Sequence, residues 1–315
     1  RRGVRRQVGR YGYKMSGQPK FATVGMFDGV HRGHRSLIGG LKYEASRRGM
    51  SAAVFTFDRH PLSLISPGKA PASLMCVQDK IRAIRRAGAD FVEVLDFDGD
   101  LRSLSAAQFI TLLRDRYGVK ALMMGFNHRF GSDRLPDISD YEKIGRGLGI
   151  EIFRAGELRD HTRHEPICSS SIRKALVSGD ILSANDMLGY PYRLKGSVVA
   201  GKRLGRTIGF PTANIDTGDS NLLIPGSGVY AVDVILPDGK VSRGMLNIGR
   251  RPTVDHSAEA PLSVEVHVIG WNGDLYGKEI AVMFLDRIRD ERCFTDLDAL
   301  KKQLSADCQA AIVAC

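Results

Sequence analysis

Phe27-Asp28-Gly29-Val30-His31-Arg32-Gly33-His34 decides how this chain is read. An apolar run, Phe21 to Met26, precedes it and predicts a strand, and a helical pattern begins near His34. Two imidazoles three apart at a strand-to-helix turn are expected side by side over the first N–H groups of that helix. A helix start carries about half a positive charge and favours an anion. Paired histidines add donors suited to a phosphate whose charge grows during reaction. Gly29 and Gly33 are expected to let the backbone turn tightly and approach a ligand. A histidine pair in an exposed turn means little by itself. Its place directly after a strand, with Phe-Asp-Gly ahead of it, gives it meaning.

Downstream, the first half alternates between two periods. Leu37, Ile38, Leu41 and Ala45 share a helical face, with Gly49 as the expected C-cap and Gly39-Gly40 expected to bring the helix close to a sheet. Ser51–Phe57, Phe91–Leu95, Val119–Met124 and Ile150–Phe153 read as further strands. Helices are predicted at Val77–Ile84, after the capping box Ser105-Ala-Ala-Gln108, and near 138–146. This predicts an α/β, doubly wound parallel sheet, which binds ligands beyond the carboxyl ends of its strands. Gly125-Phe-Asn-His-Arg-Phe-Gly131 follows the fourth strand as a second candidate site, and a structural turn explains it equally well. Ser169-Ser170-Ser171-Ile172-Arg173 opens a helix that Gly179 ends. Taken alone, this stretch is better explained by helix capping than by a phosphate held at a helix start.

The string Val24 to His34 resembles the His-x-Gly-His signature of nucleotidyltransferases. More narrowly, it is similar to the adenylyltransferase half of bacterial bifunctional riboflavin kinase/FAD synthetases. That resemblance implies a nucleotidyltransferase-like Rossmann domain in which His31 and His34 are catalytic. It places Gly25, Phe27, Asp28, Gly33, Asn127, Ser170, Ser171 and Arg173 at ATP. The 125–136 loop departs from the family, with Phe126 and Asn127 where acidic residues are usual and Arg134-Leu135-Pro136 in place of Arg-x-Gly.

From Leu194 the period changes to short β-like runs broken by Gly and Pro, up to a helix at 296–311. This predicts an antiparallel β-barrel with a terminal helix. Gly196–Arg203 nearly spells a P-loop, but Arg203 replaces the hydroxyl that reaches magnesium and no parallel strand-helix pair flanks it. Gly201-Lys-Arg-Leu-Gly205-Arg-Thr-Ile-Gly209-Phe-Pro211-Thr212-Ala-Asn214 is more specific. Its glycines suit a loop against phosphates, and Thr212 and Asn214 are expected to offer neutral oxygens from one strand face. The string resembles the riboflavin kinase signature, as do the expected turn Asn247–Thr253, Asp274–Gly277 and Arg289–Phe294. The resemblance implies Gly201, Lys202, Gly205, Arg206, Gly209, Pro211 and Asn247 at ATP or flavin, and Thr212 and Asn214 at Mg2+. In Ser263–Val268 the valines face one way and Glu265 and His267 the other. A glutamate on a polar sheet face is most often simply solvated; the resemblance makes Glu265 the general base.

Three segments are therefore expected: a disordered basic arm at 1–20, an FMN adenylyltransferase domain at 21–187 and a riboflavin kinase domain at 188–315, joined at Leu188–Pro191. The implied function is ATP-dependent phosphorylation of riboflavin to FMN, then adenylylation of FMN to FAD with release of pyrophosphate. A kinase whose first half is impaired is the alternative. An RNA-binding regulator is a third reading, which the charge distribution disfavours. The formal charge is +11, but residues 1–20 hold seven Arg and Lys and no acid, leaving +4 to the rest. The partners expected are small molecules, with neither nucleic acid nor membrane, for a monomer or weak homo-oligomer. No apolar run approaches the roughly 20 residues of a membrane helix, and no secretory signal is read near the start. The 5 cysteines are scattered, as free thiols in the cytoplasm would be.

Overall fold

Strands read from apolar runs need cover on both faces, and the first half supplies it with helices. A computed structural model describes residues 17–66, 68–125, 129–155, 167–201, 204–218, 221–250 and 262–314. By packing, the chain divides into two units. One is built on the chain up to Ala72 with Cys76–Ile167, the other on Ser73–Met75 with Cys168–Cys315.

The first unit runs β1 (Lys20–Val24), α1 (Arg32–Arg47), β2 (Ser51–Phe57), α2 (Leu62–Ile65), α3 (Val77–Arg86), β3 (Phe91–Leu95), α4 (Gly99–Ser103), α5 (Ala106–Tyr117), β4 (Val119–Met124), α6 (Ile138–Leu148) and β5 (Glu151–Arg154). All strand pairs are parallel, in the order β3-β2-β1-β4-β5. The chain steps to one side of β1 for β2 and β3, then crosses to the other for β4. Neighbouring connections diverge there, which opens a crevice at the carboxyl ends of β1 and β4. Phe55, Phe109, Leu113, Leu122 and Tyr141 fill the core beneath it. The capping box forms as expected, Ser105 and Gln108 each bonding the other's backbone N–H. Gly39 and Gly40 do not serve the expected close approach: both are exposed with nothing within 4 Å. Ile38, Leu41 and Ala45 are the buried face of α1.

In the second unit α7 (Ser169–Ser178) and α8 (Ile181–Leu188) precede β6 (Arg193–Val199), α9 (Leu204–Thr207), β7 (Ala213–Asp216), β8 (Gly228–Ile235), β9 (Val241–Arg250), β10 (Leu262–Val268), β11 (Glu279–Arg289) and α10 (Leu297–Val313). The strands close into a barrel in the order β10-β7-β6-β11-β8-β9, antiparallel at every described pairing. Alternation does the sorting: in β10, Val264, Val266 and Val268 are buried and the residues between them less so. α10 covers one wall, with Ala311 packed on Ala231 and Met245.

Three expectations change. Leu188, placed in a linker, is the last residue of α8, which Gly189 ends in the left-handed conformation. Asn185 then ties α8 to the barrel, donating to the Phe284 carbonyl and accepting from Tyr192 N–H. Asn247 to Arg250, expected in a turn, continue β9. Lys20, counted with the basic arm, opens β1 and is buried; residues 1–16 lie outside the described residues.

Asp307 on α10 is 1% exposed and takes the Arg289 guanidinium of β11 at 2.7 Å, with Gln303 donating to it as well. Deleting one partner of such a pair strands the other charge. Asp307→Ala should lower the unfolding free energy by about 3 kcal/mol, read by denaturant titration of the full chain.

Candidate functional sites

β1 delivers the chain into a turn that bends against its own preference. Phe27 has φ 49° and Val30 φ 36°, both in the left-handed region that side chains disfavour. A short 3-10 turn, Asp28–Val30, lies between β1 and α1, and Gly29 inside it has φ 78°. His31 is then the N-cap of α1, so the helix starts at Arg32 rather than near His34. Its Nδ1 accepts from His34 N–H at 3.4 Å, which leaves Nε2 as the ring donor. The two imidazoles stack with centroids 3.6 Å apart and 22° between planes, and the Phe27 ring meets His34 edge-on at 5.1 Å. Gly33 also makes room within the turn. A Cβ there would lie 3.2 Å from the His31 ring, so the glycine leaves room for the imidazole. Gly25 likewise faces the Phe27 ring at 3.1 Å. Phe27, Asp28 and His31 are all buried, while His34 is half-buried.

Beneath the turn lies a lysine that the motif reading missed. Lys80 of α3 is buried, and its Nζ donates to the carbonyls of Phe57 at 2.7 Å and Met26 at 3.2 Å. Thr56 Oγ1 donates to the same Met26 carbonyl at 3.0 Å. Burial pushes the Lys80 ammonium down to about 8, against the opposing pull of Asp28 and Asp58. The signal was in the sequence, since Lys80 falls on the apolar face of its helix between Val77 and Ile84.

After β4, Asn127 lies outside the described residues. The loop that follows is anchored to its surroundings. Asp133 accepts from Ala106 N–H at the start of α5, and Tyr141 Oη bonds both N–H and carbonyl of Phe130. The serine-rich helix α7 begins as expected, but no serine side chain caps it. Its N-cap is Cys168, whose Sγ sits 3.0 Å from Ser170 Oγ and 3.2 Å from Ser171 Oγ. Burial alone would raise the Cys168 thiol; hydrogen bonding with Ser170 and Ser171 outweighs it and holds the thiol below its ordinary range. Arg173 lies in the second turn of α7.

In the barrel, pairing assembles residues far apart in sequence. Glu265 on β10 is in register with Asn214 of β7 on one side and Asn247 of β9 on the other. Paired residues share a face, so the three form a row across the strands. Thr212, one residue before β7, reaches Glu265 Oε2 with its Oγ1 at 3.3 Å. His267, on the same face as Glu265, holds the Pro211 carbonyl with Nδ1 at 2.8 Å. A Cβ on Gly201 would collide with the Asn214 amide, and one on Gly205 with the Phe210 carbonyl. Gly209 has φ 87°. Lys202 lies outside the described residues. A cavity of about 520 Å³ opens here, lined by Arg206, Pro211, Thr212, Trp271, Asp274 and Tyr276. Arg206 lies over the Tyr276 ring at 5.8 Å. Trp271, the chain's one tryptophan, was not singled out from sequence, although Gly273 beside it leaves space that a Cβ would take from its ring.

Comparison with known proteins matches both units. The FAD synthetase family model covers residues 14–171 and the riboflavin kinase family model residues 188–314. The bifunctional riboflavin kinase/FMN adenylyltransferase of Escherichia coli K12 is 40% identical over 291 residues, 90% of this chain and 89% of that one. The chain belongs to the bifunctional riboflavin kinase/FMN adenylyltransferase family. The Bacillus subtilis member is 36% identical, covering 92% of this chain and 90% of its own. A crystal structure described as a macrolide-efflux protein from Streptococcus pneumoniae superposes with TM-score 0.86 at 30% identity, over 96% of both chains. No described helix of this family member is long and apolar enough to cross a membrane.

The buried lysine gives a pH prediction. Its folded value of about 8 lies below the ordinary 10.5. Between those values the unfolded chain binds more protons at this group, so its contribution to stability rises with pH. The rise is at most about 3 kcal/mol. The unfolding free energy of the unaltered chain minus that of Lys80→Met should therefore grow between about pH 7.5 and about pH 9.5.

Proposed function

We propose that the barrel unit transfers the γ-phosphoryl group of ATP to riboflavin, giving FMN, and that the parallel-sheet unit adenylylates FMN with a second ATP, giving FAD and pyrophosphate. One observation carries this reading: the paired histidines come together within the first unit and the glutamate's neighbours within the second. His31 stacks on His34 at a strand-to-helix turn, and Thr212 bonds Glu265 beside Asn214 and Asn247.

In the first reaction Glu265 accepts the proton of the primary hydroxyl of riboflavin as that oxygen bonds to the γ-phosphorus and ADP leaves. The Gly201–Gly209 loop and Arg206 bind the triphosphate, in the cavity that Trp271 and Tyr276 line. Thr212 and Asn214 offer the hard, neutral oxygens that suit Mg2+, which when bound would neutralise charge on the transferring phosphates. The Asn214 amide packs closely on Gly201, where a Cβ would collide with it, and the Thr212 hydroxyl donates to Glu265. Neither needs to reorganise much to serve.

In the second reaction an oxygen of the FMN phosphate attacks the α-phosphorus and pyrophosphate departs. His31, through Nε2, and His34 donate to phosphate oxygens at the start of α1, where the helix end favours the same charge. No side-chain nucleophile is required, since positioning and electrostatics carry most of phosphoryl-transfer catalysis. The substrates are small molecules, and the enzyme is placed in the cytoplasm, where Cys76, Cys168, Cys293 and Cys308 stay reduced.

Incubating the full chain with riboflavin, ATP and magnesium and chromatographing the flavins tests the whole. FAD is expected; FMN alone would refute the adenylyl-transfer half, and no conversion would refute both. His31→Ala should cut FAD formation by at least about 100-fold while FMN still appears. Glu265→Gln should cut FMN formation by about 100-fold or more, yet leave FAD formation from supplied FMN intact.

A further inference from the structure

A buried ammonium is an expensive way to fill space. Lys80 stands on the apolar face of α3 with its neighbours Ile81 and Ile84 buried. A leucine or methionine there would avoid a desolvation cost of several kcal/mol. Such breaks of local rule concentrate where function requires them. Its two hydrogen bonds go to particular places. Phe57 is the last residue of β2, and Met26 lies just past the end of β1. The ammonium thus joins the carboxyl ends of two neighbouring strands from below.

The Met26 carbonyl is held twice, by Lys80 Nζ and by Thr56 Oγ1. The next residue is Phe27, where the chain enters the left-handed region. Among the described residues three side-chain-bearing positions have positive φ, and two of them, Phe27 and Val30, are in this turn. Such backbone is strained and persists only where its surroundings over-determine it. From Phe27 the line of contact is short: its ring abuts His34, which stacks on His31.

We infer that Lys80 is a positioning residue for adenylyl transfer: by clamping the Met26 and Phe57 carbonyls it fixes the turn from which the His31–His34 stack projects. Thr56 is the second jaw of the clamp. Lys80 touches no reacting atom in this role. It acts through the backbone, and its loss lowers turnover by misplacing the imidazoles, whereas substrate binding is largely kept. The inference rests on the reading of the turn as the adenylyl-transfer site.

The experiment uses the full chain. FAD formation from supplied FMN and ATP is measured at steady state, and FMN formation from riboflavin is followed in the same preparations. Lys80→Met should lose about 10- to 100-fold in kcat for adenylyl transfer, the scale of an ångström's misplacement. Its KM for FMN should stay within about threefold and its kinase turnover within about twofold, since the loss is one of geometry. Lys80→Arg keeps charge and donors and should recover to within about fivefold of the unaltered chain. If circular dichroism shows that Lys80→Met does not fold, Thr56→Val decides. It is nearly isosteric, removes the other donor to Met26, and should cost about 3- to 10-fold in kcat with KM held.

A folded Lys80→Met within twofold of the unaltered kcat overturns the inference. So does a Lys80→Arg no better than Lys80→Met, or, where it decides, a Thr56→Val at full rate. These results leave the site itself standing, because the unaltered chain still makes FAD. An unaltered chain that makes none overturns the site reading, and this inference with it.

Discussion

Between Met26 and His31 the backbone follows a path that two of its side chains resist, and the parallel-sheet unit is arranged to keep it there. Phe27 and Val30 would relax toward ordinary φ in an isolated peptide. In the fold their side chains are nearly inaccessible, at 2% and 1% exposed, so relaxing would open the core. Packing energy is converted in this way into a fixed placement of imidazoles at a helix start. The central position of β1 matters for the same reason. Strands on both sides hydrogen-bond it, so the point from which the turn departs has little freedom to move.

The barrel reaches a comparable rigidity by other means. Glu265 is held by register: its neighbours are set by which strands pair and in what alignment. A one-residue slip would turn it toward the packed interior, where Val264 and Val266 now sit. Glu265 and His267, two successive residues of one face of β10, pin the Pro211–Thr212 segment at the Thr212 hydroxyl and the Pro211 carbonyl. In the first unit a strained loop is braced by buried groups. In the second, unstrained strands do the positioning and glycines make room.

Much of this was legible in the residues. β2, β3 and β4 follow from their apolar runs, and the change of period near Leu194 marks where helices give way to the barrel. The histidine pair and the Gly201–Asn214 string are local, and local patterns can be read. What escaped was non-local. The row Asn247–Glu265–Asn214 exists only through strand pairing between residues far from adjacent in sequence, so Asn247 looked like a turn residue. α8 was missed because its eight residues give barely two turns of period before Gly189. Gly33 was read for a tight turn and close approach to a ligand; nothing in a linear pattern says that an imidazole will lie over it. Lys80 is different. Its place on an apolar helix face is visible in one dimension, and the oddity was passed over because it matched no motif.

The two sheets also manage their edges differently. The barrel is sealed, with each of its six strands bonded on both sides, so it offers no ladder to a foreign strand. The open sheet ends in β3 and β5, each with one side that no described strand pairs. β5 is short and begins and ends on charged, exposed residues, Glu151 and Arg154, which discourage edge-to-edge association. β3 is nearly wholly buried and apolar apart from Glu93. During synthesis, before its helices have docked, that strand is where the nascent polypeptide is most open to aggregation.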